Sequence, residues 1–181
     1  MIDGCLIQVA SGEYVNPLEP WGFTPRIDDI AHALAQINRF TGHTAAPYSV
    51  AEHSVRVSEA CPPGLELAGL LHDAAEAYLG DCASPLKHHP TFGSAYRYAE
   101  DALQERIDYR FRVDSHHPAV RRADLVLLAT EKRDLMPPGP EWAVLAGVRP
   151  LPGSINTWPP SFARRRFLAR YHDLTSLAAA A

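Results

Sequence analysis

The sequence predicts an all-α single domain: a helical bundle with a short β-hairpin or extended segment at its N-terminus. Three observations carry this. Apolar residues recur at helical spacing through most of the chain, β-branched alternating runs are scarce, and 181 residues suit one core with little room for a second. Hydrophobic residues make up 46% of the chain, enough to build that core.

Residues 1–20 read as the extended or hairpin segment, with Ser11-Gly12 as its turn. Thr24-Pro25 is expected to cap and open the first helix, whose apolar stripe is Ile27, Ile30, Ala31, Leu34 and Ile37. Gly42 and Pro47 break the segment that follows. Ser49-Val50-Ala51-Glu52 has the form of a capping box. The helix it opens carries His53, Val57 and Ala60 and stops at Pro62-Pro63. A third helix is expected from Leu65 to Leu79, closed by Gly80. A fourth spans Gly93 to Tyr109, and a fifth begins near Pro118 and runs to Leu135. The Pro- and Gly-rich stretch from Met136 to Pro160 is long for a connector, so it is expected to pack over the body or line an opening. A sixth helix starts after Pro159-Pro160, carries Phe162, Phe167, Leu168 and Leu174, and frays at the C-terminal LAAAA. No internal repeat interrupts this order.

Charge and cysteine usage narrow the function classes. With 17 basic and 21 acidic residues the chain carries −4, which gives no overall field to draw in a nucleic acid polymer. A local basic pocket for a small phosphorylated ligand remains compatible with that total. Cys5, Cys61 and Cys82 are scattered and form no CxxC pair, which fits a reducing, cytoplasmic setting. The first residues lack the basic start and apolar run of a signal peptide, and no run of 18 apolar residues predicts a membrane span.

The third predicted helix holds the first oddity. Its centre, AGLLHDAAEAYLG, is apolar except for His72, Asp73 and Glu76. Adjacent helical residues lie about 100° apart, so His72 and Asp73 can converge on one ion beside the helix, with Glu76 bordering the same pocket. His53 on the second helix and Asp124 on the fifth are further polar groups in apolar surroundings. Burying two unpaired carboxylates carries a large desolvation cost that a divalent cation removes. Two imidazoles with carboxylates suit Mn, Fe, Co, Ni or Zn better than Ca. The plainer alternative pairs Asp73 with Arg121 or Arg122.

The segments INRFTGHT, YSVAEHS, LLHDAAEAYLGD, SPLK and RRADLVLLATEKRDL, across residues 28 to 135, resemble the HD-domain phosphohydrolases. The likeness is greatest to the small branch of five-prime-deoxynucleotidases and deoxynucleoside triphosphohydrolases. It implies one HD domain over residues 1–181, with a C-terminal packing segment from 136 to 181. It also implies one divalent transition metal ion held by His53, His72, Asp73 and Asp124. By the same resemblance, Glu76 activates or orders the attacking water, Arg39 contacts the phosphate, and Asp81 lies near the sugar or leaving oxygen. Lys87 and Arg121 match basic positions that hold phosphates in triphosphohydrolases, where Lys often stands at the place of Arg121. Phe40 and His43 are expected at the border of the pocket, with Trp21 and Tyr78 as further aromatics that could wall a base.

The implied substrate is a small deoxynucleoside five-prime-phosphate, with the monophosphate version slightly favoured over the triphosphate. The loop between His53 and His72 is shorter than in the better-known monophosphatases, and the large insertions of triphosphohydrolases are absent. A homodimer is compatible with a small helical member. Another phosphate ester, or a non-catalytic nucleotide or metal sensor, is the alternative reading. His88-His89 and His116-His117 are expected to face solvent.

Overall fold

A computed structural model describes residues 4–179. It is mostly helical, with 58% helix and 3% strand. The N-terminal hairpin pairs β1 (Ile7–Gln8) with β2 (Tyr14–Val15) antiparallel, turning at Gly12 with φ +90°. Eight α segments follow: α1 (Ile27–Gln36), α2 (Val50–Ala60), α3 (Glu66–Leu71), α4 (Glu76–Leu79), α5 (Ser84–Lys87), α6 (Phe92–Phe111), α7 (Pro118–Leu135) and α8 (Pro160–Ala179). The expected six become eight because the third helix is split and the SPLK segment forms a turn of its own.

α2 is the central element, packed against α1, α3, α7 and α8. Ser49 caps it by accepting the N–H of Glu52 at 3.2 Å. Only half of the expected box forms. The Glu52 carboxylate turns instead to Arg56, at 2.7 Å, and to the N–H of Trp158, at 2.7 Å. Glu52 thereby ties the long connector onto the bundle, and that connector packs over the body as expected. Gly69 of α3 meets α2 so closely that a Cβ there would lie 3.2 Å from the Ser58 Cα and 2.5 Å from Cys61 Sγ. The core joins Ile30, Leu34, Val50, Val55, Leu70, Leu71, Leu103, Ile107 and Phe167 from five helices. α1 begins at Ile27 rather than at Thr24-Pro25, and the Arg26 side chain at its N-cap position does not cap the helix. Two acidic residues, Asp28 and Asp29, occupy its first turn, where the helix dipole favours them.

The split of the third helix has a physical cause. In a continuous α-helix the Leu71 carbonyl would accept the Ala75 N–H. Here the side-chain amide of Gln104, from α6, takes both groups. Its Nε2 donates to the Leu71 carbonyl at 2.9 Å, and its Oε1 accepts the Ala75 N–H at 3.1 Å. A side chain inserted into the ladder is a recognised cause of a helix break. Residues 72–75 pass through tighter turns, with Ala74 N–H on the Leu71 carbonyl and Glu76 N–H on the Asp73 carbonyl. Gly80, at φ +79°, then ends α4 as expected.

Candidate metal centre

His53, His72 and Asp73 form a cluster that could hold a metal ion. His53 projects from the buried middle of α2, while His72 and Asp73 sit in the break between α3 and α4. His53 Nε2 and His72 Nε2 are 3.3 Å apart. Asp73 Oδ2 lies 3.5 Å from the first and 3.3 Å from the second. From α7, Asp124 Oδ1 reaches His53 Nε2 at 3.2 Å and His72 Nε2 at 3.9 Å. Donors about 2.1 Å from a common ion lie about 3.0–3.4 Å apart when their bonds meet at right to tetrahedral angles. The spacings among His53, His72 and Asp73, 3.3 to 3.5 Å, come close to that set, and Asp124 meets it toward His53 but stands wider, at 3.9 Å, from His72.

The tautomers favour the same conclusion. His72 Nδ1 faces the Gly69 carbonyl at 2.9 Å, and His53 Nδ1 faces Glu131 Oε1 at 2.5 Å. Both partners only accept, so both imidazoles donate from Nδ1 and turn Nε2 lone pairs toward one point. Two facing lone pairs repel unless a proton or a cation stands between them. The residues present therefore fit a metal ion, with a proton on one ring as its counterpart when no ion is bound.

Charge around the cluster is balanced by Arg39. Its Nη1 lies 3.3 Å from Asp73 Oδ2, and its Nη2 makes an ion pair with Glu131 Oε2 at 3.3 Å. Asp73 is thus paired with Arg39, not with Arg121 or Arg122. Burial disfavours the Asp73 carboxylate, but His72, His53 and Arg39 outweigh it and hold its pKa below the usual value. Asp124 is likewise held well below the carboxylate range, burial being overcome chiefly by His53. Burial and Arg39 oppose protonation of His53, while Glu131 and Asp124 favour it, raising its imidazole to about 9.

Glu76 lies at the start of α4, buried. Burial first, then Asp73 and Asp81, push its carboxyl well above the usual range. Its Oε1 is 3.3 Å from Lys87 Nζ, and its Oε2 has no partner among the described residues. Lys87 is also bound to Glu100 at 2.7 Å, so two carboxylates already hold the cation expected to meet phosphate. Asp81 is half-buried and lies in the field of Arg39 and Asp73, with its pKa raised mainly by burial.

Sequence identity places these residues in a known lineage. The chain is 38% identical over 161 residues to the uncharacterized protein YfdR of Escherichia coli strain K12, an overlap covering 83% of this chain and 85% of that one. The chain belongs to the YfdR family. It is also 33% identical over 191 residues to the uncharacterized protein RCAP_rcc00048 of Rhodobacter capsulatus, covering 92% of this chain and 94% of that one. No protein-family model matches the chain.

The remaining expected site residues of this YfdR-family chain are less tightly gathered. Arg39 and Phe40 stand at the start of a 3₁₀ turn over Arg39–Gly42, held by the Asn38–Ser49 bridge. Phe40 and Thr41 both adopt left-handed backbone, φ 55° and 53°, a costly conformation for non-glycine residues beside a site. The Phe40 ring packs on Trp142 of the connector with centroids 6.0 Å apart. His43 caps that turn and is exposed. Arg121 is exposed on α7, one turn before Asp124, with no ion pair among the described residues. Trp21 packs on Tyr109 and Tyr78 on Phe23, so both serve packing away from the cluster's ligands. His88 and His89 are exposed, and His117 caps α7 through the Ala119 N–H.

Sequence reasoning missed Glu131, Gln104 and Glu100. Glu131 had a signal: it follows Asp124 by seven residues, two helical turns, on the same face of α7. Within the run TEKRD it reads as part of a solvated helix end.

Proposed function

We propose that this chain is an HD-type, metal-dependent phosphohydrolase that releases phosphate from deoxynucleoside 5′-monophosphates. The observation that carries the reading is the convergence of two histidine Nε2 atoms with Asp73 and Asp124, beside a partly buried arginine. His53, His72, Asp73 and Asp124 would hold the ion, one of Co, Mn, Zn, Ni or Fe. When bound, the ion supplies Lewis-acid polarisation and a lowered water pKa.

The chain's own groups account for the rest. Glu76 is a buried carboxyl whose pKa is raised by burial and by Asp73 and Asp81, the direction that makes a carboxylate a stronger proton acceptor. Its partnerless Oε2 is the atom available to orient the attacking water and take its proton. Arg39 offers a guanidinium fixed between Asp73 and Glu131, able to neutralise charge building on the phosphoryl oxygens. Asp81 is available to accept a hydrogen bond from the sugar or to assist the leaving oxygen.

Charge supports the lower phosphate count. Asp73, Asp124, Glu131, Glu76, Asp81 and Glu100 surround two cations, Arg39 and Lys87, each already bound to two carboxylates. Such surroundings favour a single phosphate over a triphosphate chain. Exposed, unpaired Arg121 is the observation that favours the triphosphate version.

The test is direct. Chelator-treated protein is reloaded separately with Mn, Co, Ni and Zn and offered the four deoxynucleotides as mono- and triphosphates, with products separated. Inorganic phosphate from the monophosphates is the expected result. Release of intact triphosphate replaces it with the triphosphohydrolase reading, and no turnover with any ion overturns the enzyme reading.

A further inference from the structure

We propose that Glu131 is a positioning residue that sets both His53 and Arg39 in place, one toward the ion and one toward the phosphate; this rests on the reading that the His–Asp cluster holds a divalent ion. Glu131 is 0% exposed, on the inner face of α7, two turns beyond Asp124. Its Oε1 lies 2.5 Å from His53 Nδ1, and its Oε2 lies 3.3 Å from Arg39 Nη2. One carboxylate therefore holds two groups that come from different parts of the chain, α2 and the turn after α1.

The chemistry of each contact is specific. An ionised carboxylate only accepts, so it fixes the hydrogen of His53 on Nδ1 and leaves the Nε2 lone pair facing His72 and Asp124. At its other oxygen it draws the guanidinium inward, so that Arg39 Nη1 rests 3.3 Å from Asp73 Oδ2, an oxygen of the ion cluster. Tyr48 is buried beside the same carboxylate, so water does not take over either contact. Glu131 acts only through His53 and Arg39, which is why it is a positioning residue and not a catalytic one.

Replacement by glutamine separates charge from shape. The amide must turn an N–H toward either Arg39 or His53, and both of those are donors. The test titrates chelator-treated wild type and Glu131→Gln with Co(II), following the visible absorption of the bound ion, with circular dichroism as the check of fold. Loss of such an outer partner weakens metal affinity by about 10–100-fold. We expect that loss, together with an altered cobalt spectrum at saturation, which a purely structural role would leave unmoved. Wild-type affinity and spectrum in the glutamine variant overturn the proposal and leave the ion site standing. Failure of the wild type to bind cobalt overturns the ion reading and this proposal with it. If Glu131→Gln does not fold, Glu131→Asp carries the same test. Its shorter carboxylate does not span both partners, so weakened binding is again expected, and wild-type binding overturns the proposal.

Discussion

The side-chain amide of Gln104 stands between the carbonyl of Leu71 and the N–H of Ala75, at 2.9 and 3.1 Å. Those two backbone groups would bond each other in an unbroken helix. His72 and Asp73 lie between them, so the wedge from α6 sets the turn that presents both side chains. Gln104 is itself held by Asp108 and Ser115, at 2.9 and 3.2 Å. Replacing it with leucine either leaves the Ala75 N–H unpaired, since the Leu71 carbonyl keeps the Ala74 N–H, or lets the ladder close and carry His72 away from His53. Gln104→Leu is expected to cost about 1–3 kcal/mol of stability and to weaken ion binding. Urea denaturation of the metal-free protein and calorimetric ion titration measure the two effects. Unchanged ion affinity in a folded variant contradicts the link between wedge and cluster.

The residues proposed as ligands are legible because each breaks an apolar helical pattern: His53 in α2, His72 and Asp73 at the predicted centre of a helix, Asp124 in α7. The groups that hold them are not. Gln104 and Glu100 lie on α6, which is polar over most of its surface, so a single buried amide or carboxylate leaves no break in pattern. Glu131 is masked by its charged neighbours Lys132, Arg133 and Asp134. The split after Leu71 was invisible for the same reason as its cause, because local propensity in AGLLHDAAEAYLG favours a continuous helix and the override comes from a side chain 33 residues away.

Between pH 6.5 and about 9, the stability of the metal-free protein and its ion affinity should respond to pH with opposite slopes. In metal-free protein His53 is raised from 6.5 to about 9, its protonation opposed by burial and Arg39 but favoured more by Glu131 and Asp124. Its stabilising contribution is therefore fully present below 6.5 and lost as pH rises through about 9. Asp73 and Asp124 are shifted the other way, so their contribution is present above the ordinary value of 3.8 and lost as pH falls below it. Thermal melts in chelator should show highest stability between these two ranges. Ion binding must displace the His53 proton, so affinity rises with pH toward about 9 and binding releases protons. Calorimetry in buffers of different ionisation enthalpy detects that release. Affinity independent of pH below 9 would count against His53 as a ligand.

Gly93 allows α6 to pass under the end of α5. A Cβ at this position would collide with the Lys87 carbonyl, whose oxygen and carbon are both backbone atoms that cannot swing aside. Gly93→Ala must push α5 outward and with it the Lys87 ammonium. Overpacking of this kind costs about 1–3 kcal/mol, and urea denaturation reads it. A variant as stable as wild type would mean that α5 is free to shift.

A substitution at Lys87 tests the two proposed phosphate counts against each other. Its ammonium is 2.7 Å from Glu100 and 3.3 Å from Glu76, and so faces carboxylates rather than an open pocket. Burial, Asp73 and Asp81 raise the Glu76 carboxyl, and Lys87 restrains that rise. Removing the ammonium takes that restraint away, so the Glu76 pKa rises further and the ionised form that a base needs is disfavoured. In Lys87→Met the proposed monophosphatase should lose kcat by about tenfold or more, with the acid limb of its pH profile moved upward. KM for a deoxynucleoside monophosphate should change by less than about threefold, because uniform substrate binding is intact. The triphosphate reading demands the reverse: a lysine that grips extra phosphates contributes to binding, so KM rises steeply while the acid limb stays in place. Steady-state kinetics across pH, on mono- and triphosphates side by side, separates a lysine that tunes the base from one that holds the substrate.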